Sequence, residues 1–448
     1  MNPRFFADLV WDASAALALV VLALLMRNVL AIPAHVPLDP NEGWNAAHAL
    51  AAMAGHDLYP GPQALMVNNY PPLSFYVVGA LSRHGRDVLI VGRWLALLAY
   101  LATALGIAAA LRRMDCRLRA MMLGAMFFAA LLLVTSDYVG MDDPQLLGHA
   151  VQLVALLLLL RERIFVSAVL FGLSLFIKHN LLALPLAAGL WLLVQDRRAG
   201  AVFLLWLLAF ALSGLVLFQL DFGTSLLARL MSPRLSSWAN LQAAVAHLWW
   251  AVLPGLAMAG FWPDRHSLFC SLYAGAALLL GLIFAAGDGV DANAFFDLGL
   301  ALSLSLGLVV ERGRWPVLAA ASAVPLLVFL GVTFQDNNFF FTRSFAQSSA
   351  RDIAFLKSRP GPGLCDQLSL CLWAGKGAEV DVFNVGEAIK AGARNPAPLV
   401  KMISDHHFAT LQLISLDALG PDVRRAIEKN YRADHRDDNG AFLVTRAP

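Results

Sequence analysis

The sequence predicts an all-α polytopic membrane protein with about eleven transmembrane helices, followed by a small α/β domain. Three observations support this prediction. Hydrophobic residues make up 59% of the 448 residues and charged residues only 14%, whereas soluble domains contain about 25% charged residues. Long apolar runs follow one another along residues 12–334, and arginines cluster in alternate loops. The net charge is only +2, and no basic stripe suggests a nucleic-acid partner.

Apolar runs of about 17–25 residues are long enough to cross a bilayer. We predict such spans at 12–32, 87–111, 120–135, 144–160, 200–219, 245–262, 267–286, 294–310 and 315–334. A further apolar block at 164–194 is interrupted by Lys178-His179-Asn180, which predicts two short spans that meet at a polar tip. The first span is long and lacks a small-residue cleavage site, so we expect no cleavable signal peptide.

The arginines predict the orientation of these spans, because cytoplasmic loops carry an excess of Lys and Arg. The loops assigned to the inside contain Arg112, Arg113, Arg117, Arg119, Arg161, Arg163, Arg197, Arg198, Arg265, Arg312 and Arg314. Loops 33–70, 135–143 and 287–293 contain neither Lys nor Arg. We therefore expect a cytoplasmic N-terminus in a bacterial inner membrane, with a first periplasmic loop over residues 33–86.

The pattern changes after residue 340, which divides the chain into a membrane domain, 1–340, and a periplasmic domain, 341–448. Helical patterns are predicted at 344–357, 385–391, 398–405 and 422–429, and strands at 409–416 and 441–445. This mixture predicts a small α/β domain. Cys365 and Cys371 both lie in it. In an oxidising compartment, a disulfide between them is one of two possible states, the other being two free thiols. Cys116 and Cys270 are expected to be free thiols.

The first outer loop carries the polar residues that a function would need. Asp39 precedes a proline and predicts a helix start, because Asp caps helices and Pro suits their first position. Glu42 then falls at the partner position of a capping box. Asn69 and Tyr70 precede two prolines, which predict an extended approach to a second surface helix at 73–82. A short amphipathic helix after Asp39 that lies on the membrane with its own caps, without chemistry, is the simpler interpretation.

Other polar residues lie at or within the membrane spans. Arg93 sits about two turns into the second span, so it either faces an internal cavity or snorkels outward. Asp142 and Asp143 precede a proline at the start of the fourth span, where capping explains one acid but not the pair. Lys178 lies between two short spans and needs a counter-anion or water, unless it only reaches the interface.

Two acids, one or two cations and a lateral cavity in the membrane suit a transfer reaction on a lipid-linked anion. The chain shows no P-loop and no convincing Gly-rich dinucleotide motif, and nucleotide sugars are scarce outside the cytoplasm. An activated group would therefore arrive on a lipid phosphate. We expect no required cofactor and no metal, although Asp39, Asp142 and Asp143 leave a divalent cation possible.

Several short motifs lie in a fixed order along the chain. They are Asn41-Glu42-Gly43, Gly55-His-Asp-Leu-Tyr59, Asn69-Tyr-Pro-Pro-Leu73, Gly92-Arg93, Asp143-Pro144 and Lys178-His179-Asn180. Over about residues 10–310 this set resembles the integral-membrane glycosyltransferases of the GT-C superfamily. Within it, the bacterial branch of protein mannosyltransferases, aminoarabinose transferases and rhizobial lipopolysaccharide transferases is most similar. The resemblance implies a GT-C fold with juxtamembrane helices in the first outer loop. It also implies inverting sugar transfer from a polyprenyl-phosphate donor, at the extracytoplasmic face, to a glycan, lipid or protein acceptor.

The resemblance also implies roles for single residues. The first-loop acid of the family acts as general base or orients the acceptor. Its usual Asp-Glu pair is Asn-Glu here, so Glu42 takes this role and Asp39 is the alternative. The second-loop acid corresponds to Asp143, and the phosphate-binding lysine to Lys178, which Arg93 would assist. A lysine that many relatives carry before the Pro-Pro turn is a tyrosine here. We expect the cavity to be lined by Asn69, Tyr70, Asp142, His179 and Asn180.

Two other functions stay open. Intramembrane Lys and Arg also mark the substrate pathway of a transporter or lipid flippase, although the chain shows no inverted repeat. A catalytically silent, lipid-binding subunit of the same fold is the other alternative, because Asn41 replaces the aspartate of the family. The enzyme interpretation requires that the first-loop acids and Lys178 share one pocket that opens sideways into the membrane.

Overall fold

The computed structural model describes residues 3–223, 225–231, 235–335 and 343–446. The helices are α1 (Pro3–Ala31), α2 (Pro40–Ala54), α3 (Leu73–Leu81), α4 (Val88–Arg113), α5 (Leu118–Thr135), α6 (Gln145–Leu159), α7 (Ile164–Ile177), α8 (Ala183–Gln195), α9 (Arg197–Phe222), α10 (Ser225–Leu230), α11 (Trp238–Ala246), α12 (Val252–Met258), α13 (Arg265–Ala285), α14 (Phe296–Arg312), α15 (Pro316–Ala321), α16 (Ala323–Gln335), α17 (Arg343–Ser358), α18 (Leu368–Trp373), α19 (Val382–Lys390), α20 (Ala397–Ser404) and α21 (Pro421–Asn430). Short 3₁₀ helices at His247–Ala251 and Ala292–Phe295 precede α12 and α14.

The apolar helices reproduce the predicted spans. In the described part of the chain, seven helical segments are long and apolar enough to cross a membrane: α1, α4, α5, α9, α13, the segment of α11 with α12, and α14 with its preceding 3₁₀ turn. The shorter apolar helices are α6, α7, α8 and the pair α15 and α16. The chain is therefore a multi-pass membrane protein, and the interrupted block at 164–194 forms the expected pair of short helices.

Helix α14 forms the centre of the bundle, and nearly all of its side chains are buried. Small residues allow this close packing, because a side chain on Gly124 of α5 would meet the backbone of Ser303. The hydroxyl groups of Ser303 and Ser305 donate to carbonyls one turn earlier, so they bury no unsatisfied donor. Helix α9 is even more apolar, but only Gly200 and Phe203 are buried and its other side chains are partly or fully exposed. Such a helix is suited to contact with lipid.

The first outer loop contains the two surface helices that the sequence predicts, α2 and α3. Asp39 caps α2 by accepting the backbone N–H of Asn41 at 2.7 Å, and Gly55 ends the helix in the left-handed conformation. The expected capping box does not form. The Glu42 carboxylate accepts from the backbone N–H of Leu38, one residue before the cap, because it is drawn inward to an arginine of α4.

The C-terminal region is an α/β domain, as predicted, with helices α17 to α21 around a four-stranded sheet. The strands are β1 (Gly363–Cys365), β2 (Thr410–Leu413), β3 (Tyr431–Asp437) and β4 (Gly440–Thr445), in the order β1-β2-β4-β3. Strands β1 and β2 are parallel and the other pairs antiparallel. Two strands were not predicted from the sequence: β1, which has only three residues, and β3, a charged edge strand with mostly exposed side chains.

The four cysteines form one disulfide and two free thiols. Cys365 and Cys371 form a disulfide, which the sequence left open. Cys116 and Cys270 are buried free thiols, as expected. The predicted boundary between residues 340 and 341 lies outside the described residues.

The C-terminal domain rests on the first outer loop. Gly43 of α2 faces the backbone of Leu368 and Ser369 so closely that any side chain there would overlap it. The indole N–H of Trp44 donates to the Asp381 carboxylate at 3.0 Å, and that of Trp373 donates to Asp87 at 3.0 Å. The domain therefore forms part of the surroundings of α2.

Candidate functional site

A polar cavity of about 280 Å³ lies where α2, the tip between α7 and α8, the loop before α14 and α19 meet. Its wall includes Asn41, Trp44, Asn69, Tyr70, Tyr138, Lys178, His179, Asn180, Ser236, Asn293, Phe383 and Asn384. Four residues expected to line a cavity, Asn69, Tyr70, His179 and Asn180, thus surround the same space. Residues of the first outer loop and Lys178 share this cavity, but the first-loop acids Asp39 and Glu42 do not line it, so the arrangement that the enzyme interpretation requires is met only in part.

Lys178 is the charged centre of the cavity wall. Lys178 is only 2% exposed, and its Nζ donates to the two carboxylate oxygens of Asp143 at 2.9 and 3.1 Å. The same ammonium lies 4.1 Å from the ring centroid of Tyr70, a favourable cation–π position. An ammonium has three N–H donors, so Asp143 occupies at most two of them. Lys178 therefore has a counter-anion, and Asp143 leaves its third donor unused.

Asp143 holds this lysine in place. Its Oδ1 accepts the backbone N–H of Gln145 at 2.7 Å, which fixes the carboxylate at the start of α6. Its side chain is fully buried, and both oxygens contact Lys178. A buried carboxylate with this partner is suited to position the ammonium rather than to take up a proton.

Arg93 and Glu42 form a second buried ion pair, in which neither side chain is exposed. Nε and one terminal nitrogen of Arg93 bond to the two Glu42 oxygens at 2.8 and 2.5 Å. The remaining N–H groups donate to the carbonyls of Ile32, Ala34 and Val36. These contacts use all five donors of a guanidinium. The structure thus leaves Arg93 no donor for a phosphate, and its burial excludes snorkelling.

This pairing also bears on the choice of a general base. Both Glu42 oxygens accept from Arg93, and one of them also accepts from Leu38. A proton transferred to Glu42 would have to break this buried ion pair. Glu42 therefore fits a structural role, in which it ties α2 to α4 beneath the first outer loop.

Asp39 is the acid that is better placed to accept a proton. It is partly buried at the start of α2, two residues from Asn41 in the cavity wall. Burial raises the pKa of Asp39, the hydrogen bond from Asn41 partly opposes this, and the nearby carboxylates of Asp291, Glu42 and Asp143 add to it, which brings the pKa to about 6. A carboxyl group with this pKa is ionised at neutral pH and is a stronger base than an ordinary aspartate.

Asp142 was expected to line the cavity, but it does not line the one that contains Lys178. Its side chain is buried against Gly92 of α4, beside a void of about 10 Å³ that Asn45 and Ser74 also line. Burial and the carboxylates of Glu42 and Asp143 raise the pKa of Asp142 well above its usual range. Asn45 donates to the Asp142 carbonyl at 2.8 Å. Asp142 therefore packs beneath the site, where burial favours its protonated form.

The contact between Asp142 and α4 gives a first testable prediction. A methyl group on Gly92 would overlap the Asp142 carboxyl group, so we expect Gly92→Ala to lower the free energy of unfolding by about 1–3 kcal/mol. Chemical denaturation of the purified protein would measure this change. Ala favours a helix over Gly by about 1 kcal/mol, so a stabilised variant would show that Asp142 moves aside freely.

The structure does not gather Asp39, Asp142 and Asp143 into a set of metal ligands. Among the described residues, one group of three places its ligand atoms within 4.8 Å of one another, namely Asp352, His435 and Asp437 in the C-terminal domain. Asp143 is paired with Lys178, and the Asp142 carboxyl group lies against Gly92 of α4.

Sequence reasoning missed several residues of the cavity wall. Phe383 and Asn384 come from α19, far along the chain from the first outer loop, and no motif marks them. Asn293 and Tyr138 were seen only as parts of polar loops. Their shared signal is an amide or aromatic side chain in a loop at the same membrane face, which is too common to single out.

Comparison with known proteins identifies the fold. No protein-family model matches the chain, and no curated protein sequence matches it. The solved structure of ArnT from Cupriavidus metallidurans bound to undecaprenyl phosphate superposes with a TM-score of 0.62 and 16% identity, covering 95% of this chain and 97% of that one. The apo structure of the same ArnT gives a TM-score of 0.62 and 14% identity, covering 97% and 98%. The chain therefore has the same fold as ArnT, which confirms the GT-C fold expected from the sequence motifs.

Proposed function

We propose that this protein is an inverting glycosyltransferase that transfers a sugar from a polyprenyl-phosphate donor to a glycan, lipid or protein acceptor of the cell envelope. The reaction takes place at the periplasmic face of a bacterial inner membrane. The N-terminus is cytoplasmic and the C-terminal domain periplasmic, in agreement with the arginines of the alternate loops. Membrane lipids surround the helical bundle, and no nucleic acid takes part.

The observation that carries this proposal is a charged lysine in the wall of a polar cavity at the membrane face. Lys178 retains a donor beside Asp143 and Tyr70, which suits a phosphate monoanion or dianion. A protein of the same fold, ArnT, has been solved with undecaprenyl phosphate bound. The shared fold and the cationic cavity together support a lipid phosphate as the group that binds Lys178.

The reaction needs one base and one cation. The acceptor oxygen forms a bond to the anomeric carbon of the sugar, and its proton passes to Asp39. The bond between the anomeric carbon and the phosphate oxygen breaks, and its electron pair leaves with the polyprenyl phosphate. Lys178 stabilises the charge that develops on this leaving group, and Asp143 keeps Lys178 in position.

The test is the binding of undecaprenyl phosphate to purified protein. We expect Lys178→Met to weaken this binding at least 10-fold, because an ion pair with phosphate of about 1.4 kcal/mol or more is lost. Lys178→Met alone leaves the buried Asp143 unpaired, which destabilises the fold. The double variant Lys178→Met and Asp143→Leu removes both charges and serves as the folded control for the binding measurement.

Two results would contradict the proposal. Unchanged affinity for undecaprenyl phosphate in the folded double variant would exclude Lys178 as the phosphate ligand. Movement of a sugar-lipid across the bilayer of proteoliposomes, without transfer of its sugar, would instead indicate a flippase.

A further inference from the structure

The cavity wall contains five asparagines, which come from five separate segments of the chain. They are Asn41 of α2, Asn69 of the first outer loop, Asn180 between α7 and α8, Asn293 before α14, and Asn384 of α19. We propose that this ring of amides binds a neutral, polyhydroxylated sugar, and that the C-terminal domain contributes Asn384 as a residue that selects it. This inference rests on the proposed function, because it specifies the sugar that the donor carries.

Amide side chains match hydroxyl groups in hydrogen bonding. Each asparagine offers two N–H donors and a carbonyl acceptor, and each sugar hydroxyl is both donor and acceptor. The aromatic rings of Trp44, Tyr70 and Tyr138 line the same space, and they provide apolar faces for the C–H groups of a sugar ring. Polar side chains that fix the orientation of a ligand, combined with aromatic faces, are common in small-molecule sites.

The charge of the wall disfavours a cationic sugar. Among the described residues that line the cavity, Lys178 is the only Lys, Arg, Asp or Glu. The carboxylate closest to it, Asp143, is already paired with that lysine. The ammonium group of an amino sugar would therefore lie near a like charge with no carboxylate in the wall to compensate, which costs binding energy.

The amides are available to a ligand. Asn69 Nδ2 lies 3.5 Å from Asn384 Oδ1, and Asn293 Nδ2 lies 3.5 Å from the Gln145 side chain. Both distances are at the outer limit for a hydrogen bond. The side-chain oxygen of Asn180 is buried and has no hydrogen-bond partner. Sugar hydroxyls can replace the two weak contacts and satisfy this oxygen, so binding costs few existing hydrogen bonds.

Asn384 is held in place by strong hydrogen bonds, although its contact with Asn69 is long. Its backbone N–H and its side-chain Nδ2 donate to the two Asp381 oxygens at 3.0 and 2.7 Å. The same Asp381 carboxylate accepts the indole N–H of Trp44 on α2 at 3.0 Å. This shared carboxylate fixes the amide of the C-terminal domain relative to the first outer loop, which leaves its Oδ1 and one N–H for a sugar.

The experiment compares three lipids on purified full-length protein: undecaprenyl phosphate alone, the same lipid carrying a neutral hexose, and the same lipid carrying a 4-amino-4-deoxypentose. We expect the neutral sugar-lipid to bind at least 10-fold more tightly than the amino sugar-lipid. Asn384→Ala should weaken the binding of the neutral sugar-lipid about 3- to 10-fold, because one neutral hydrogen bond is lost. The affinity for undecaprenyl phosphate should stay within twofold of the wild-type value.

Two variants serve as controls. Asn180→Ala removes an oxygen that has no partner in the protein, so it should fold normally and weaken only the sugar-lipids. Asn430→Ala, in the same domain as Asn384 but outside the cavity wall, should leave all three affinities unchanged. If Asn384→Ala does not fold, Asn180→Ala alone decides the question.

The outcomes separate this inference from the proposed function. Equal or tighter binding of the amino sugar-lipid would overturn the neutral-sugar inference. Equal weakening of all three lipids in both cavity variants would show a structural role for the amides and overturn it as well. Failure of wild-type protein to bind undecaprenyl phosphate at all would instead defeat the proposed function.

Discussion

Arg93→Met is expected to lower the free energy of unfolding by about 3–5 kcal/mol, the usual cost of leaving a buried charge without its partner. Arg93 is fully buried, and its five donors satisfy Glu42 and three backbone carbonyls of the segment 32–36. The substitution strands all four groups at once. Equilibrium denaturation of the purified protein in detergent measures this change, with the thermal midpoint as a second readout.

The matched control is the double variant Arg93→Met and Glu42→Leu. It removes the unpaired carboxylate but not the three orphaned carbonyls, so we expect it to recover only part of the lost stability. Glu42→Gln alone keeps a hydrogen-bond acceptor and should cost less than Arg93→Met. A single Arg93→Met variant as stable as wild type would contradict the structural role and restore Arg93 as a candidate ligand for phosphate.

Arg93 shows what the sequence could predict and what it could not. A lone arginine two turns inside an apolar span must have partners or reach the interface, and the sequence left both alternatives open. It could not identify the partner, because Glu42 lies 51 residues earlier and several other acids were equally available. The carbonyl partners in the loop after α1 could not be predicted from any motif, because every residue has a backbone carbonyl.

Lys178 follows the same rule. Its position between two short apolar helices predicted a buried cation that needs an anion, and the structure supplies Asp143 from a different loop. The helices themselves were predictable, because apolar runs, Asp-Pro starts and glycine stops are local signals. Asn384 was not, because its place in the cavity depends on how the C-terminal domain folds back over α2, and such long-range packing has no local signature.

Asp39→Asn is expected to reduce turnover about 10²- to 10⁴-fold, the usual contribution of a general base. Asparagine keeps the size of the side chain and still caps α2 by accepting the N–H of Asn41, so the fold should be preserved. The Michaelis constant for the donor should change little, because Asp39 does not line the cavity that holds the phosphate ligand. Release of polyprenyl phosphate from a sugar-loaded donor, in the presence of an envelope lipid extract, measures turnover.

The pH profile gives an independent readout of the same residue. A base works in its ionised form, and burial raises the pKa of Asp39 to about 6. In wild-type protein, log kcat/KM should therefore rise with unit slope below about pH 6 and level off above it. In Asp39→Asn this acidic limb should disappear, because no carboxylate remains to titrate at that position. An unchanged limb in the variant would assign it to another acid.

Asp291 provides the matched control, because its carboxylate raises the pKa of Asp39 and it does not line the cavity that contains Lys178. Asp291→Asn should keep most of the turnover above pH 7 and move the midpoint of the acidic limb to lower pH, since one repelling negative charge is removed. This shift has a definite sign, and a purely structural role for Asp39 would not produce it. Full activity of Asp39→Asn, or a midpoint that moves upward in Asp291→Asn, would return the role of base to Glu42 despite its ion pair with Arg93.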